Sequence, residues 1–252
     1  MSYALKGPAA DSLFAKPGAL VDLGLTLPVF LLYHAGVIFL GVRNGSDLLT
    51  ESMLRLADGD TRTYLGMTAA VGVMFVGAYA TVGRGEVFAP RKFLAILAEA
   101  TLYAAAMKFG VTWAVGRLFA GHIATGREAA VGMVMSLGAG FYEELAFRVL
   151  LFGVGAKALV LAFTQDRLDL VKANDGLHWR GVLVAVLWAF VSAAVFSGAH
   201  YVGPLADVFK PDTFAFRALL GLALTLVFVT RGFAAAVWTH LVYDVWVLVL
   251  DR

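Results

Sequence analysis

The stretch FYEELAFR places Glu143, Glu144 and Arg148 together, with apolar sequence on both sides. On a helix, Glu144 and Arg148 are four apart and stack on one face as an acid-before-base pair, while Glu143 is turned by about 100° and points elsewhere. An intramembrane Glu–Arg pair alone reads as a pin between helices. The second glutamate is not explained that way: a carboxylate without a charge partner can take a proton from water and return it as a general acid. In FSGAHYVG, His200 lies one turn after Phe196, and the small residues Ser197, Gly198 and Ala199 between them admit a neighbouring helix. In WTHLVYDVW, His240 and Asp244 are four apart and share a helix face. A base, two imidazoles and a further carboxyl are the parts of a hydrolytic site. Glu143, His200 and His240 are also the donor types of an open two-His-one-carboxylate zinc site, although no H-E-x-x-H is present. Glutamate and zinc chemistry both remain open at this point.

The rest of the chain says where those residues sit. Its 252 residues are 60% hydrophobic and 15% charged, with a mean hydropathy of +0.80, far more apolar than a soluble domain. This is the composition of an all-α polytopic membrane protein, whose first partner is the lipid bilayer. A net charge of +2 with scattered basic residues gives no footprint for nucleic acid. With no cysteine, disulfides and thiolate metal sites are excluded, and any metal would need His and carboxylates.

Apolar segments of crossing length fall at 21–42, 63–83, 93–119, 129–161, 180–200, 214–230 and 233–250. The fourth is too long for one straight crossing, and Gly153 and Gly155 mark where it can break, so seven or eight spans are expected. GSDLLTESMLRLADGD reads as a short interfacial helix capped by Ser46 or Asp47. Residues 1–128 are expected to form N-terminal transmembrane helices with that interfacial helix, and 129–252 a helical core that contains Glu143, His200 and His240. No repeat is legible. The first twenty residues have no unbroken apolar run, so the first span is expected to target the chain without a cleaved signal. Basic residues divide nearly evenly between the two sides, so orientation stays open.

Lys108, Arg148 and Lys157 sit within spans, where an ionisable group costs roughly 2.5–3.5 kcal/mol on insertion scales. Each is expected to face protein or a watery cavity. His34 is expected to bond to a neighbouring helix or to snorkel, His122 and His178 to be solvated in loops, and the five tryptophans mostly to face lipid or the interface.

The three motifs, E-E-x-x-x-R at Glu143, Glu144 and Arg148, F-x-x-x-H at Phe196 and His200, and H-x-x-x-D at His240 and Asp244, resemble in order the signatures of the CPBP family. This family comprises intramembrane endoproteases related to the CAAX prenyl protease Ras-converting enzyme and to bacterial Abi proteins. The resemblance covers about 129 to 250, makes 129–252 a CPBP-like catalytic helical core, and implies that Glu143 and His200 activate a water. It assigns oxyanion stabilisation to His240 and residue 244, and a structural and electrostatic role to Glu144 with Arg148. Asp244 departs from the Asn of the related prenyl protease. An ionised carboxylate repels an oxyanion, so Asp244 must be protonated or must hold His240 as an imidazolium, as a triad aspartate does. The resemblance favours a metal-free glutamate mechanism, with zinc at Glu143, His200 and His240 as the alternative.

The function expected is therefore an intramembrane endopeptidase acting on a membrane-anchored protein or peptide, in a prokaryotic cytoplasmic membrane since nothing eukaryotic is visible. Two rivals stand beside it: a non-catalytic scaffold or immunity-type protein of the same fold, and an ion-coupled transporter using Glu99 and Lys108 of the third span. For the enzyme, Glu143, His200 and His240 are expected to surround one water-accessible cavity.

Overall fold

A computed structural model describes residues 18–82, 90–115, 123–164, 179–203 and 206–250, and these form a bundle of eight helices. They are α1 (Ala19–Leu40), α2 (Leu48–Leu56), α3 (Thr61–Val82), α4 (Pro90–Val115), α5 (Gly126–Thr164), α6 (Trp179–Ala199), α7 (Pro211–Arg231) and α8 (Phe233–Leu250). Among the described residues no strand occurs, as expected where every backbone polar group must be satisfied without water. Six helices, all but α2 and α3, are long and apolar enough to cross a membrane. The chain is thus a multi-pass membrane protein. The seven or eight spans expected include α3, a 22-residue helix that begins on the polar run Thr61, Arg62, Thr63. The first seventeen residues, His122, His178 and most of the loop near 164–180 lie outside the described residues.

The break expected at Gly153 and Gly155 does not occur. α5 runs unbroken for 39 residues, and its hydrogen bonding widens to the i→i+5 π register from Ala139 to Val154. That stretch contains both glutamates and Arg148, and π segments gather at functional positions because they re-aim side chains. Gly155 instead admits a neighbour: a Cβ there would stand 2.5 Å from the Trp188 indole nitrogen. That nitrogen donates to the Leu151 carbonyl at 2.9 Å.

The crossing partners fix the helix directions. Tyr33 packs near Gly138 and Gly36 near Val134, so α1 and α5 are antiparallel. Gly132 meets Leu248 while Gly140 meets Leu241 and Val237, so α5 and α8 are antiparallel too. Ser197 bonds to Phe214 and Phe196 packs on Gly221, which opposes α6 and α7. One end of the bundle therefore gathers the C-terminal ends of α1, α4, α6 and α8 with the N-terminal ends of α5 and α7. The most enclosed helix is α8, half of whose span is buried against 22% for α6. At Gly140 a Cβ would lie 2.9 Å from the Val237 carbonyl. This backbone approach brings α5 and α8 close enough for side chains one turn further on to meet.

α2 is capped by Asp47, whose carboxylate accepts from the Thr50 amide at 2.8 Å. Of the span cations, Arg148 and Lys108 are buried, with the Lys108 ammonium 4.5 Å over the Trp246 ring. Lys157 departs from expectation: it is exposed on the outside of α5, seven residues from the helix end, where a long side chain can reach the interface. Trp113 and Trp179 are exposed as expected. Trp188 and Trp238 instead tie helices together, Trp238 through the Leu25 carbonyl at 3.0 Å.

Candidate active site

A cavity of about 340 Å³ lies at the end of the bundle defined above. Glu143 from α5, His200 from the end of α6, and His240 and Asp244 from α8 all line it, together with Phe196, Arg217 and Asn44. A second cavity of about 300 Å³, between the end of α1, α2 and the start of α3, contains none of the motif residues.

His240 is the hub. Its Nδ1 is 2.7 Å from Glu144 Oε1; since a carboxylate only accepts, the proton lies on Nδ1 and His240 donates. Its other nitrogen, Nε2, stands 3.9 Å from Glu143 and 3.7 Å from Asp244. Both separations are too long for direct hydrogen bonds. Two expectations change here. Glu143 does not point away from its neighbour's surroundings: the two glutamates approach the same imidazole from opposite sides. The carboxylate that holds His240 in the manner of a triad aspartate is Glu144, while Asp244 faces the free nitrogen.

Glu144 has a second partner, as the four-residue spacing requires. Arg148 Nη1 lies 3.1 Å from the same Glu144 Oε1, with both side chains essentially inaccessible. Among the described residues no guanidinium nitrogen of Arg148 has an aligned hydrogen bond. Arg148 is held by charge and by the Phe196 ring, 4.2 Å beneath it. Phe196 also stands edge-on to His200 and His240, with centroids 5.2 and 6.1 Å away. The aromatic of the second motif thus links all three motifs. His200 is half-buried, and its Nδ1 donates to the Phe196 carbonyl at 3.0 Å. In the neutral ring the lone pair is left on Nε2.

Sequence spacing did not reveal Asn44, in the connection from α1 to α2. Its Nδ2 donates to Glu143 Oε1 at 2.9 Å across 99 residues of sequence. Beside it runs a buried network: Tyr33 Oη donates to Asp47 at 2.7 Å, and His34 lies between the Tyr64 and Tyr142 hydroxyls at 2.8 and 2.7 Å. His34 is the satisfied helix-to-helix histidine expected of it. Glu99, weighed as part of an ion path, is held by Arg231 through two contacts of 2.6 and 2.9 Å. As to zinc, no group of three His, Asp or Glu among the described residues is arranged to hold a metal ion.

Fold and site together describe a membrane-embedded helical protein with a carboxylate and imidazole cluster facing a cavity. Residues 125–246, which contain all three motifs, match the family described as Type II CAAX prenyl endopeptidase Rce1-like. These residues form a domain of the CPBP/CAAX protease family of membrane endopeptidases. No curated protein and no solved structure matches it.

Proposed function

We propose that the protein is a glutamate-dependent intramembrane endopeptidase that cleaves a membrane-anchored protein or peptide in a prokaryotic cytoplasmic membrane. The observation that carries this reading is the shared cavity: Glu143, His200, His240 and Asp244, from three helices, line one space. Glu143 with His200 Nε2 takes a proton from water as the hydroxide oxygen bonds to the scissile carbonyl carbon. The tetrahedral oxyanion then forms near His240. As an imidazolium, His240 keeps one N–H on Glu144 and turns Nε2–H to the oxyanion, a donor of the kind worth roughly 2.7–4 kcal/mol elsewhere. When the C–N bond breaks, Glu143 returns its proton to the leaving nitrogen. Arg148 compensates the charge of Glu144, so that Glu144 can stay ionised beside His240.

No step in this scheme needs a metal. Purified protein in proteoliposomes is expected to cleave a prenylated CAAX peptide or another lipid-anchored peptide after exhaustive chelation. The variant Glu143→Gln is expected to cleave it about 10³-fold more slowly. Cleavage restored only by added zinc after chelation would replace the glutamate mechanism by a metal one. Equal cleavage by wild type and Glu143→Gln would remove Glu143 as the base, and no cleavage by wild type would sink the enzymatic reading in favour of a scaffold. Comparing the membrane proteomes of cells carrying wild type and Glu143→Ala would then identify the natural substrate as a protein that persists uncleaved.

A further inference from the structure

We propose that Asn44 is a positioning residue for Glu143, so that the α1–α2 connection, outside the matched residues 125–246, completes the site. The proposal rests on the reading of Glu143 as the base. Asn44 is 6% exposed and lines the cavity, and every one of its polar groups is committed. Its Oδ1 accepts from the Ser46 amide at 2.8 Å, which fixes the amide so that Nδ2 is the group presented to Glu143 Oε1 at 2.9 Å. Its backbone N–H donates to Tyr33 Oη at 2.9 Å, and its carbonyl accepts from the Asp47 amide at 3.2 Å. Tyr33 in turn donates to Asp47, the cap of α2. The donor aimed at Glu143 is therefore set by two helices, not by a loop free to move.

The contact has a chemical consequence. A glutamate has three side-chain torsions, and at membrane depth a rotated carboxylate has few alternative partners. Asn44 occupies one face of Oε1, while Oε2 lies 3.9 Å from His240 Nε2. The carboxylate is thus held beside the imidazole, and the oxygen nearer His240 is left to meet water. An amide donor does this without adding charge, whereas a lysine there would compete with the proton that Glu143 must carry. The close approach is built into α5: a Cβ at Gly138 would stand 2.7 Å from Asn44 Cβ and 2.5 Å from the Tyr33 ring.

Asn44→Asp is the discriminating variant. It keeps the acceptor for Ser46, and so the turn, but sets an oxygen against Glu143. In proteoliposomes with a lipidated peptide that wild type cleaves, kcat is expected to fall about 100-fold, the scale of a misplaced catalytic group, with KM within about twofold. Melting temperatures close a second arm. Asn44→Asp should lower Tm, and adding Glu143→Gln to it should restore Tm, because the new amide donates to the new carboxylate. Retained kcat in Asn44→Asp, or no recovery of Tm in the double variant, would overturn the proposal while leaving Glu143 as base. If Glu143→Gln alone cleaves like wild type, Glu143 is not the base and the positioning role falls with it.

Discussion

Two regions of the bundle bury ions at membrane depth. Away from the cavity, Glu99 and Arg231 meet through two short contacts, 2.6 and 2.9 Å, while Asp22 accepts from the Ala234 amide at 2.8 Å. At the cavity, Glu143 and Asp244 stand 3.9 and 3.7 Å from the one free nitrogen of His240. Both regions meet the requirement that a buried charge have a partner. They differ in how fully it is met. Short, paired contacts such as those of Glu99 leave nothing for a substrate to exchange, whereas two carboxyls around one nitrogen, facing a space of about 340 Å³, leave room for a water and for a change of protonation. Intramembrane charge alone therefore separates neither transporter from protease nor machinery from scaffold. Incomplete pairing around a cavity is the sharper criterion.

The hardest test of that contrast exchanges one carboxylate in each region. Glu143→Gln is expected to lower turnover about 10³-fold, within the range that general base catalysis supplies, with expression and melting near wild type. Glu99→Gln is expected to do the opposite, lowering Tm because buried Arg231 loses the charge of Glu99 while the turnover of folded protein persists. Parallel assays of cleavage and Tm on the two variants decide it: if Glu99→Gln silences folded protein as Glu143→Gln does, the distinction between the regions fails.

Glu144 belongs to both categories, which makes it the next test. It pairs with Arg148 as a structural ion would and holds His240 Nδ1 as a functional group would. Glu144→Gln is expected to cost about 3–5 kcal/mol, the scale for stranding a buried charge, and to lower kcat of the surviving folded fraction. A smaller effect is expected at Asp244. Glu144, not Asp244, holds His240 Nδ1, so Asp244→Asn should keep the imidazole in place and lose no more than about tenfold in kcat, less than a lost oxyanion donor costs. A collapse of activity in Asp244→Asn as deep as that of Glu143→Gln would show that the charge at 244 is what His240 depends on.

How far the sequence carried these distinctions depended on distance along the chain. Helix extents were legible because lipid imposes length and hydropathy on each segment separately. The pairs Glu144–Arg148 and His240–Asp244 were legible because four residues make a turn. The glycines of α5 misled: Gly153 and Gly155 looked like a break in an over-long span, yet Gly155 is the space that Trp188 occupies. That two adjacent glutamates would straddle one histidine could not be read from single-helix geometry, since it depends on the close approach of α8 at Gly140. Asn44 was invisible for the same reason, because a contact across 99 residues has no periodicity. Its only local sign was the cap motif just after it, where Asp47 was one of two candidates and the structure selects it.

The smallest expected effect lies at the start of α3, outside both regions. Asp60 accepts from the amides of Arg62 and Thr63 and from the Thr63 hydroxyl. These bonds, that to the Thr63 hydroxyl foremost, hold its carboxyl below the ordinary aspartate range. A depressed native pKa contributes stability above the unfolded value, and that contribution is lost as pH falls through the native one. Because Asp60 is fully exposed, the contribution is local to the start of α3. Amide exchange at Thr63 and Tyr64 should therefore quicken in Asp60→Asn relative to wild type near neutral pH, and the difference should vanish in strong acid, where the wild-type carboxyl is protonated too. Cleavage at neutral pH should be unchanged, since Asp60 borders the second cavity and not the one containing Glu143. A loss of turnover in Asp60→Asn comparable to that of Asp244→Asn would mean that the start of α3 communicates with the site, and the functional region would have to be redrawn to include it.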